Sequence, residues 1–414
     1  MGAPVVDLTD LDLFSDGFPH DVFTTLRREH PVFWHEPTAH TPGDEGFWVV
    51  TRHADVLAVL HDPATFSSET GPGRTGGGTT LEDLPPGFVT GVMLNMSDPP
   101  THTRIRGLVN RTFTPRSVEA LESWLHERTA AILDAVADRG ECDFLVDVAA
   151  ELPLQTIATM LGVPQEDRHQ LFAWTTTILD YRDRDLAGAS DALAEAGLGL
   201  RVYGDEQIAD RRARPTDDLL SQVVHATVEG PDGEVEALSP EELQAFFALL
   251  FTAGSETTRN SIAGGLLALL EHPDQLARLR ADPSLLPTTV EEVLRWTSAT
   301  AYNRRTATRD TELAGHVIRA GEKTTHWYPS ANRDEAVFAD PFAFDVGRDP
   351  NPHLAFGHGL HHCLGAPLAR REIAVVLGAV LERFDDLALA GPVEWGRSNK
   401  HTSLRHLPVT FRNR

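Results

Sequence analysis

Most of the chemistry in this chain is concentrated in Leu354 to Ala366, reading Leu-Ala-Phe-Gly-His-Gly-Leu-His-His-Cys-Leu-Gly-Ala. Phe356, Gly357, Gly359, His361, Cys363 and Gly365 stand at fixed offsets, and Cys363 lies just before a long helical pattern. Backbone N–H groups at a helix start stabilise a thiolate. A thiolate held there is a good axial ligand for haem iron and favours O–O cleavage. Gly357 and Gly359 let the chain turn tightly and approach a flat ligand. Gly365 removes the side chain that would strike a macrocycle lying over the helix start. Two other readings compete. A lone cysteine is commonly a small buried hydrophobe. His358, His361, His362 and Cys363 could bind zinc, but three adjacent ligands fit poorly around one tetrahedral ion.

A second constellation is Ala253-Gly254-Ser255-Glu256-Thr257-Thr258. It lies in a helical pattern opened by the capping box Ser239-Pro240-Glu241-Glu242, with proline at the first helical position. That helix is predicted to run past Glu271, a length of about 45–50 Å. Glycine and paired threonines are poor choices for a helix interior, and a buried carboxylate needs a reason. The bland reading is a polar turn facing solvent. The functional one has Thr257 bonding the Ala253 carbonyl one turn back and opening a groove. Elsewhere, Asp98-Pro99-Pro100 signals a helix entry that places His102 and Arg106 on one face, ordinarily a solvated one. Glu292 and Arg295 form an i, i+3 pair, a weak signal alone.

The run Phe-Gly-x-Gly-x-His-x-Cys-x-Gly resembles the haem-binding loop of the cytochromes P-450, the haem-thiolate monooxygenases. The other motifs follow in that family's order over roughly residues 90 to 410. The resemblance implies Cys363 as axial ligand of haem b (iron protoporphyrin IX), with Phe356, Gly357, Gly359 and Gly365 against the cofactor. It implies that His102, Arg106, Arg305 and His361 grip the propionates. Ala253 and Gly254 would let the long helix pass close over the haem, and Glu256 with Thr257 would relay protons for oxygen activation. Glu292, Arg295 and Arg348 would brace the cysteine loop. His362 departs from the family pattern, since many relatives carry an apolar or aromatic residue there. In the last substrate-contacting turn, Lys400 and Ser403 replace residues usually apolar and glycine.

The implied fold is mainly α, a single large helical domain over 1–414 with a small β region and haem between the long helix and the cysteine loop. The implied reaction inserts one atom of O2 into a small organic substrate, with electrons from a ferredoxin and its reductase. Arg104, Arg111, Arg116, Arg370 and Arg371 are the expected docking patch. The alternatives are oxidative coupling or desaturation by the same oxidant, a non-catalytic haem gas sensor, and, most distantly, a zinc-binding structural protein.

The rest of the chain must position these groups. Hydrophobic content of 41% and charged content of 23% are those of a globular protein, and no linker divides the chain. A net charge of −25 argues against general affinity for nucleic acid or anionic membranes. Two cysteines, Cys142 and Cys363, make no disulfide framework and suit a reducing cytoplasm. No basic-then-apolar leader opens the sequence, and no apolar run reaches membrane-spanning length, so no membrane anchor is expected. A helix is predicted near 22–29, with strands at 32–34 and 47–50. The glycine- and proline-rich stretch from Phe66 to about Asn95 has no element and is expected to act as a substrate lid. Amphipathic helices fill 117–225, where Phe172, Trp174, Tyr181 and Tyr203 either roof a pocket or pack the core. Residues 396–409 are predicted to form a closing hairpin. Lys323 and Lys400 are the only lysines. Lys400 is expected either to snorkel to the surface or to meet an anion or strong acceptor on the substrate.

Overall fold

The computed structural model describes residues 6–414 except 88, 111–112, 114, 180–190 and 230–234. Helices dominate, and five of them frame the site: α1 (Thr101–Val109), α2 (Asp191–Ala213), α3 (Pro240–Glu271), α4 (Leu286–Thr297) and α5 (Ala366–Arg383). Helix α3 is the axle. Its 32 residues span about 48 Å at 1.5 Å per residue. Ser239 accepts from the Glu242 N–H while the Glu242 carboxylate accepts from the Ser239 N–H, so the predicted capping box forms. From Ser255 to Leu269 most of its side chains are buried, because helices pack on several sides of it. Small residues allow the closest approach. A Cβ on Gly265 would lie 2.8 Å from Val293 of α4, and one on Gly264 would lie 2.6 Å from Thr297.

The β region is small. Strands β1 (Val32–His35), β2 (Phe47–Val50), β3 (Phe66–Ser67), β4 (Tyr302–Ala307) and β5 (Lys323–Trp327) form one sheet in the order β1-β2-β5-β4-β3. Strand β5 runs parallel to β2 and antiparallel to β4, pairing Thr324 with Arg305 and His326 with Asn303. The closing hairpin joins β6 (Glu394–Trp395) to β7 (Leu404–His406), and its turn carries Ser398 to Thr402. Residues 408–413 leave that hairpin and pair with both 384–389 and 141–143.

Behind the site sits a buried charge network. Arg295 makes a two-pronged bond to Glu292, with both N···O distances 2.7 Å and both side chains fully buried. Arg348, Asn351 and the Asp345 N–H also donate to Glu292, while Arg295 donates onward to the carbonyls of Asn332, Pro341 and Ala343. The predicted Glu-Arg-Arg brace is therefore one hydrogen-bonded unit that fixes the chain entering the cysteine loop. Among the described residues no helix is long and apolar enough to cross a membrane.

Candidate active site

A cavity of about 710 Å³ lies between α3 and the loop that precedes α5. Cys363 is open to this cavity although it sits deep in the protein. The loop is built as its glycines require. Gly357 and Gly359 have φ of +66° and +70°, and a Cβ on Gly359 would meet the Leu60 carbonyl oxygen at 2.7 Å. The Cys363 N–H donates to the Phe356 carbonyl at 2.9 Å, closing the turn that presents the sulfur. Burial pushes the thiol up, while the N–H groups of Gly365 and Ala366 and the guanidiniums of Arg106 and Arg370 pull the other way. A Cβ on Gly365 would meet nothing within 4 Å, so the wall there is flat and open.

Beside the thiol is a cluster of cations and imidazoles from three segments. His102 and Arg106 come from α1, Arg305 from β4 and His361 from the cysteine loop, and all four line the cavity. The His102 and His361 rings have centroids 4.4 Å apart. Both ring nitrogens of His102 are buried without a hydrogen-bond partner. Burial and Arg106 bring His102 down to about 4, and burial with Arg305 and His102 brings His361 to about 2. Among the described residues neither Arg106 nor Arg305 forms an ion pair. Arg106 holds Asn110 at 2.9 Å, and Arg305 holds only the Arg304 carbonyl, also at 2.9 Å. The carboxylate of Asp98 is already taken by Ser67 and the Ser68 N–H. One buried and one half-buried guanidinium without counter-ions, with the orphaned nitrogens of His102, form a site for carboxylates. The two propionates of a haem would fit it.

Across the cavity, α3 presents Ala253, Gly254, Thr257 and Thr258. Thr257 donates to the Ala253 carbonyl at 2.8 Å, as its spacing predicts. Ser255, Asn260 and Ser261 likewise bond carbonyls four residues back, so this stretch carries a row of side-chain caps on its own backbone. Gly254, which lines the cavity as expected, also has a packing role. Its missing Cβ faces Ile157 at 3.3 Å, so the glycine lets a neighbouring helix close on α3. Glu256 is not brought to the cavity wall. It is buried on the flank of α3 with its Oε1 3.2 Å from Arg259, because successive helical residues point about 100° apart.

Several sequence expectations change here. Of the two uses offered for Phe172, Trp174 and Tyr203, core packing holds: they lie half-buried against the core, with Tyr203 bonded to Asp167 at 2.7 Å, while Ile178, Leu193 and Leu200 line the cavity. Tyr181 lies outside the described residues. Lys400 neither snorkels nor reaches into open space, because its three N–H bonds are taken by protein oxygens at 2.8 Å. Among the expected docking arginines, Arg104 is paired with Glu236 and Glu242, Arg370 with Glu291, and Arg371 with Glu122. Arg116 is exposed, and Arg111 lies outside the described residues. The sequence reading missed Ser68, 2.9 Å from His361, and Glu372 on α5. Burial pushes the Glu372 carboxyl up to about 8, and it lines the cavity. Its place beside the apolar stripe of α5 was the available signal. Among the described residues no three His, Cys, Asp or Glu side chains are grouped to hold a metal ion, which leaves the zinc reading without geometric support.

The comparisons with known proteins agree with this architecture. The family model for cytochrome P450 matches residues 154–391. Cytochrome P450 126 of Mycobacterium tuberculosis is 52% identical over 412 residues, covering 99% of this chain and 98% of that protein. A methyl-branched lipid omega-hydroxylase of the same organism is 39% identical over 427 residues, covering 99% and 96%. The structure of Mycobacterium marinum cytochrome P450 CYP268A2 in complex with pseudoionone superposes with a TM-score of 0.89 at 36% identity, covering 99% of each chain. With the mainly helical fold, the ordered motifs and end-to-end similarity in agreement, this chain belongs to the cytochrome P450 family of haem monooxygenases.

Proposed function

We propose that the protein carries haem b with Cys363 as its axial thiolate and hydroxylates an extended, mostly apolar substrate. The observation that carries this reading is the pairing of one cavity-facing thiol with the carboxylate-binding cluster of His102, Arg106, Arg305 and His361. Haem held there supplies the activation of O2 and the oxidation of a substrate C–H bond. Beyond the haem, the wall is made of side chains such as Leu84, Val89, Met93, Leu249 and Leu250, which suits a hydrocarbon body. The omega-hydroxylase among the relatives supports a lipid-like substrate. Hydroxylation is preferred to coupling or desaturation on the same ground.

The residues of α3 have separate tasks. Thr257 holds a hydroxyl at the cavity face with its proton on the Ala253 carbonyl, leaving its oxygen free to accept from a water in the groove. Glu256 restocks that chain with protons by turning from Arg259 toward the groove. A separate electron carrier is the reading proposed, because two cysteines cannot supply the four thiolates of an iron–sulfur cluster. A ferredoxin with its reductase is the class proposed, in the cytoplasm. Its landing face is centred on Arg116, since Arg370 and Arg371 are already spent on acidic side chains.

The testing experiment is optical. Purified protein, reduced and exposed to carbon monoxide, is expected to show the strongly red-shifted band of thiolate-ligated haem; a band typical of histidine-ligated haem would overturn the reading. Thr257→Ala is expected to bind substrate normally and consume reductant, while releasing most of the oxygen as hydrogen peroxide. Loss of one proton-transfer partner corresponds to about 10²-fold or more in coupled turnover. Supplying hydrogen peroxide directly should narrow the gap between wild type and variant. Equal coupling in the two proteins, measured as product per NADH, would make Thr257 a packing residue.

A further inference from the structure

The stretch expected to be a lid is held by a device that the reading above does not use. Gly77 and Leu84 exchange backbone hydrogen bonds of 3.1 and 2.9 Å, closing off the turn from Gly78 to Asp83. Inside that turn, four consecutive carbonyls each receive a buried cation. Lys400 donates to Thr79 at 2.8 Å, Lys323 donates to Leu81 at 2.8 Å, and Arg304 donates to both Thr80 and Glu82 at 3.1 Å. Both lysines of the whole chain are thus spent on one irregular segment. The Asp83 carboxylate binds Arg304 at 2.8 Å as well as Arg74, and Glu45 binds Lys323 at 2.8 Å. Thr79, Thr80, Glu82 and Leu84 form part of the cavity wall. A backbone with no helix or strand of its own is therefore fixed at every carbonyl from 79 to 82.

Lys400 has a distinct place in this set, because it is the member that itself lines the cavity. Its ammonium also donates to the Tyr302 carbonyl and to Asn303 Oδ1, each at 2.8 Å, and lies 4.6 Å from the Tyr302 ring centroid. Burial and the nearby Arg305 push the Lys400 amine well below its ordinary value; the three acceptors oppose that shift, since they match the three N–H donors of the protonated form. The turn that carries it is also fixed, since the Ala301 N–H donates to the Lys400 carbonyl at 2.9 Å and Thr402 donates to the Thr297 and Ser298 carbonyls. One side chain thereby joins the wall segment, strand β4 two residues before Arg305, and the hairpin turn.

We propose that Lys400 is a positioning residue: through the Thr79 carbonyl it locks the wall of the substrate cavity against β4, and so sets the size and pose of molecule that can lie over the reacting centre. This rests on the haem-thiolate reading but makes a separate claim. It replaces a mobile lid with a rigid wall, and it replaces a direct Lys400–substrate contact with an indirect one. Substrates are then selected by shape at this wall, because the ammonium has no hydrogen left to offer.

The test uses the haem-loaded wild type and Lys400→Met, which keeps the length of the side chain and removes the donors. Hydrogen exchange is followed at the amides of Gly77, Gly78 and Leu84, and absorbance titrations use 1-phenylimidazole and the much bulkier clotrimazole. In wild type these amides are expected to exchange as slowly as those of β4. In Lys400→Met they are expected to exchange at least ten times faster, and the ratio of the two azole affinities is expected to shift at least fivefold toward the bulkier ligand. Unchanged exchange and an unchanged ratio would overturn the proposal. Faster exchange with an unchanged ratio would also overturn it, leaving Lys400 a merely stabilising group. If the variant does not retain haem, wild-type exchange decides, and loop-like rates at those three amides would rule the clamp out. A missing red-shifted carbon monoxide band in wild type would instead remove the haem-thiolate reading, whatever the exchange shows.

Discussion

Cys363→Ser is expected to lose the red-shifted carbon monoxide band entirely and to bring O2-dependent turnover to background, a fall of about 10³-fold or more, or about 4 kcal/mol on the barrier. Serine keeps the shape of the loop, and the Cys363 N–H bond to the Phe356 carbonyl is made by backbone alone, so the fold should survive. The cation cluster is also untouched, so haem is expected to remain bound through His102, Arg106, Arg305 and His361. The variant then separates cofactor retention from thiolate ligation. Cys142→Ser is the control. Its thiol is buried and burial pushes it up to about 12, which leaves it inert. If the Cys142 variant lost the band and the Cys363 variant kept it, the active-site assignment would be wrong.

Glu292→Gln is expected to yield little or no folded haem protein. Arg295 and Glu292 are both fully buried, and the carboxylate accepts from Arg295, Arg348, Asn351 and the Asp345 N–H. Removing one partner leaves uncompensated buried charge, which costs about 3–5 kcal/mol against a total stability of about 5–15 kcal/mol. Glutamine fills the same space, so the loss comes from charge and not from a cavity. The same pair makes the protein sensitive to acid. Burial alone would raise the Glu292 carboxyl, but Arg295, the Asp345 N–H and Arg348 outweigh it and hold the group below its ordinary value. A group lowered in the folded state contributes stability at neutral pH and loses it as pH falls through the folded value. Thermal melts of wild type should therefore fall on the acid side, with haem release at the same midpoint. A Glu292→Gln variant that melted within about 1 kcal/mol of wild type would show that the network is dispensable.

The motifs were legible because each one is local. The capping box, the αL glycines at 357 and 359, the Thr257 bond to Ala253 and the i, i+3 pair of Glu292 with Arg295 all lie within four residues of backbone. Helical and strand periodicity located the elements for the same reason. Helix α3, strands β1 and β2 and the closing hairpin form where composition and alternation put them.

What the chain alone could not supply is which distant groups meet. Sequence determined that a thiolate, a mid-helix polar turn and scattered cations were present; only tertiary packing decided their directions. Rotation along α3 turned Thr257 to the cavity and Glu256 to Arg259. The contact with Ile157, 97 positions away in the chain, gives Gly254 a packing role besides its place on the cavity wall. A stretch with no periodicity reads as a lid because partners for most of the carbonyls from 79 to 82 do not lie nearby in sequence. Arg304, Lys323 and Lys400 supply those partners from 222 to 321 residues farther on. Local hydrogen bonds are written in sequence spacing, whereas the satisfaction of buried charge is settled by whatever the fold brings alongside.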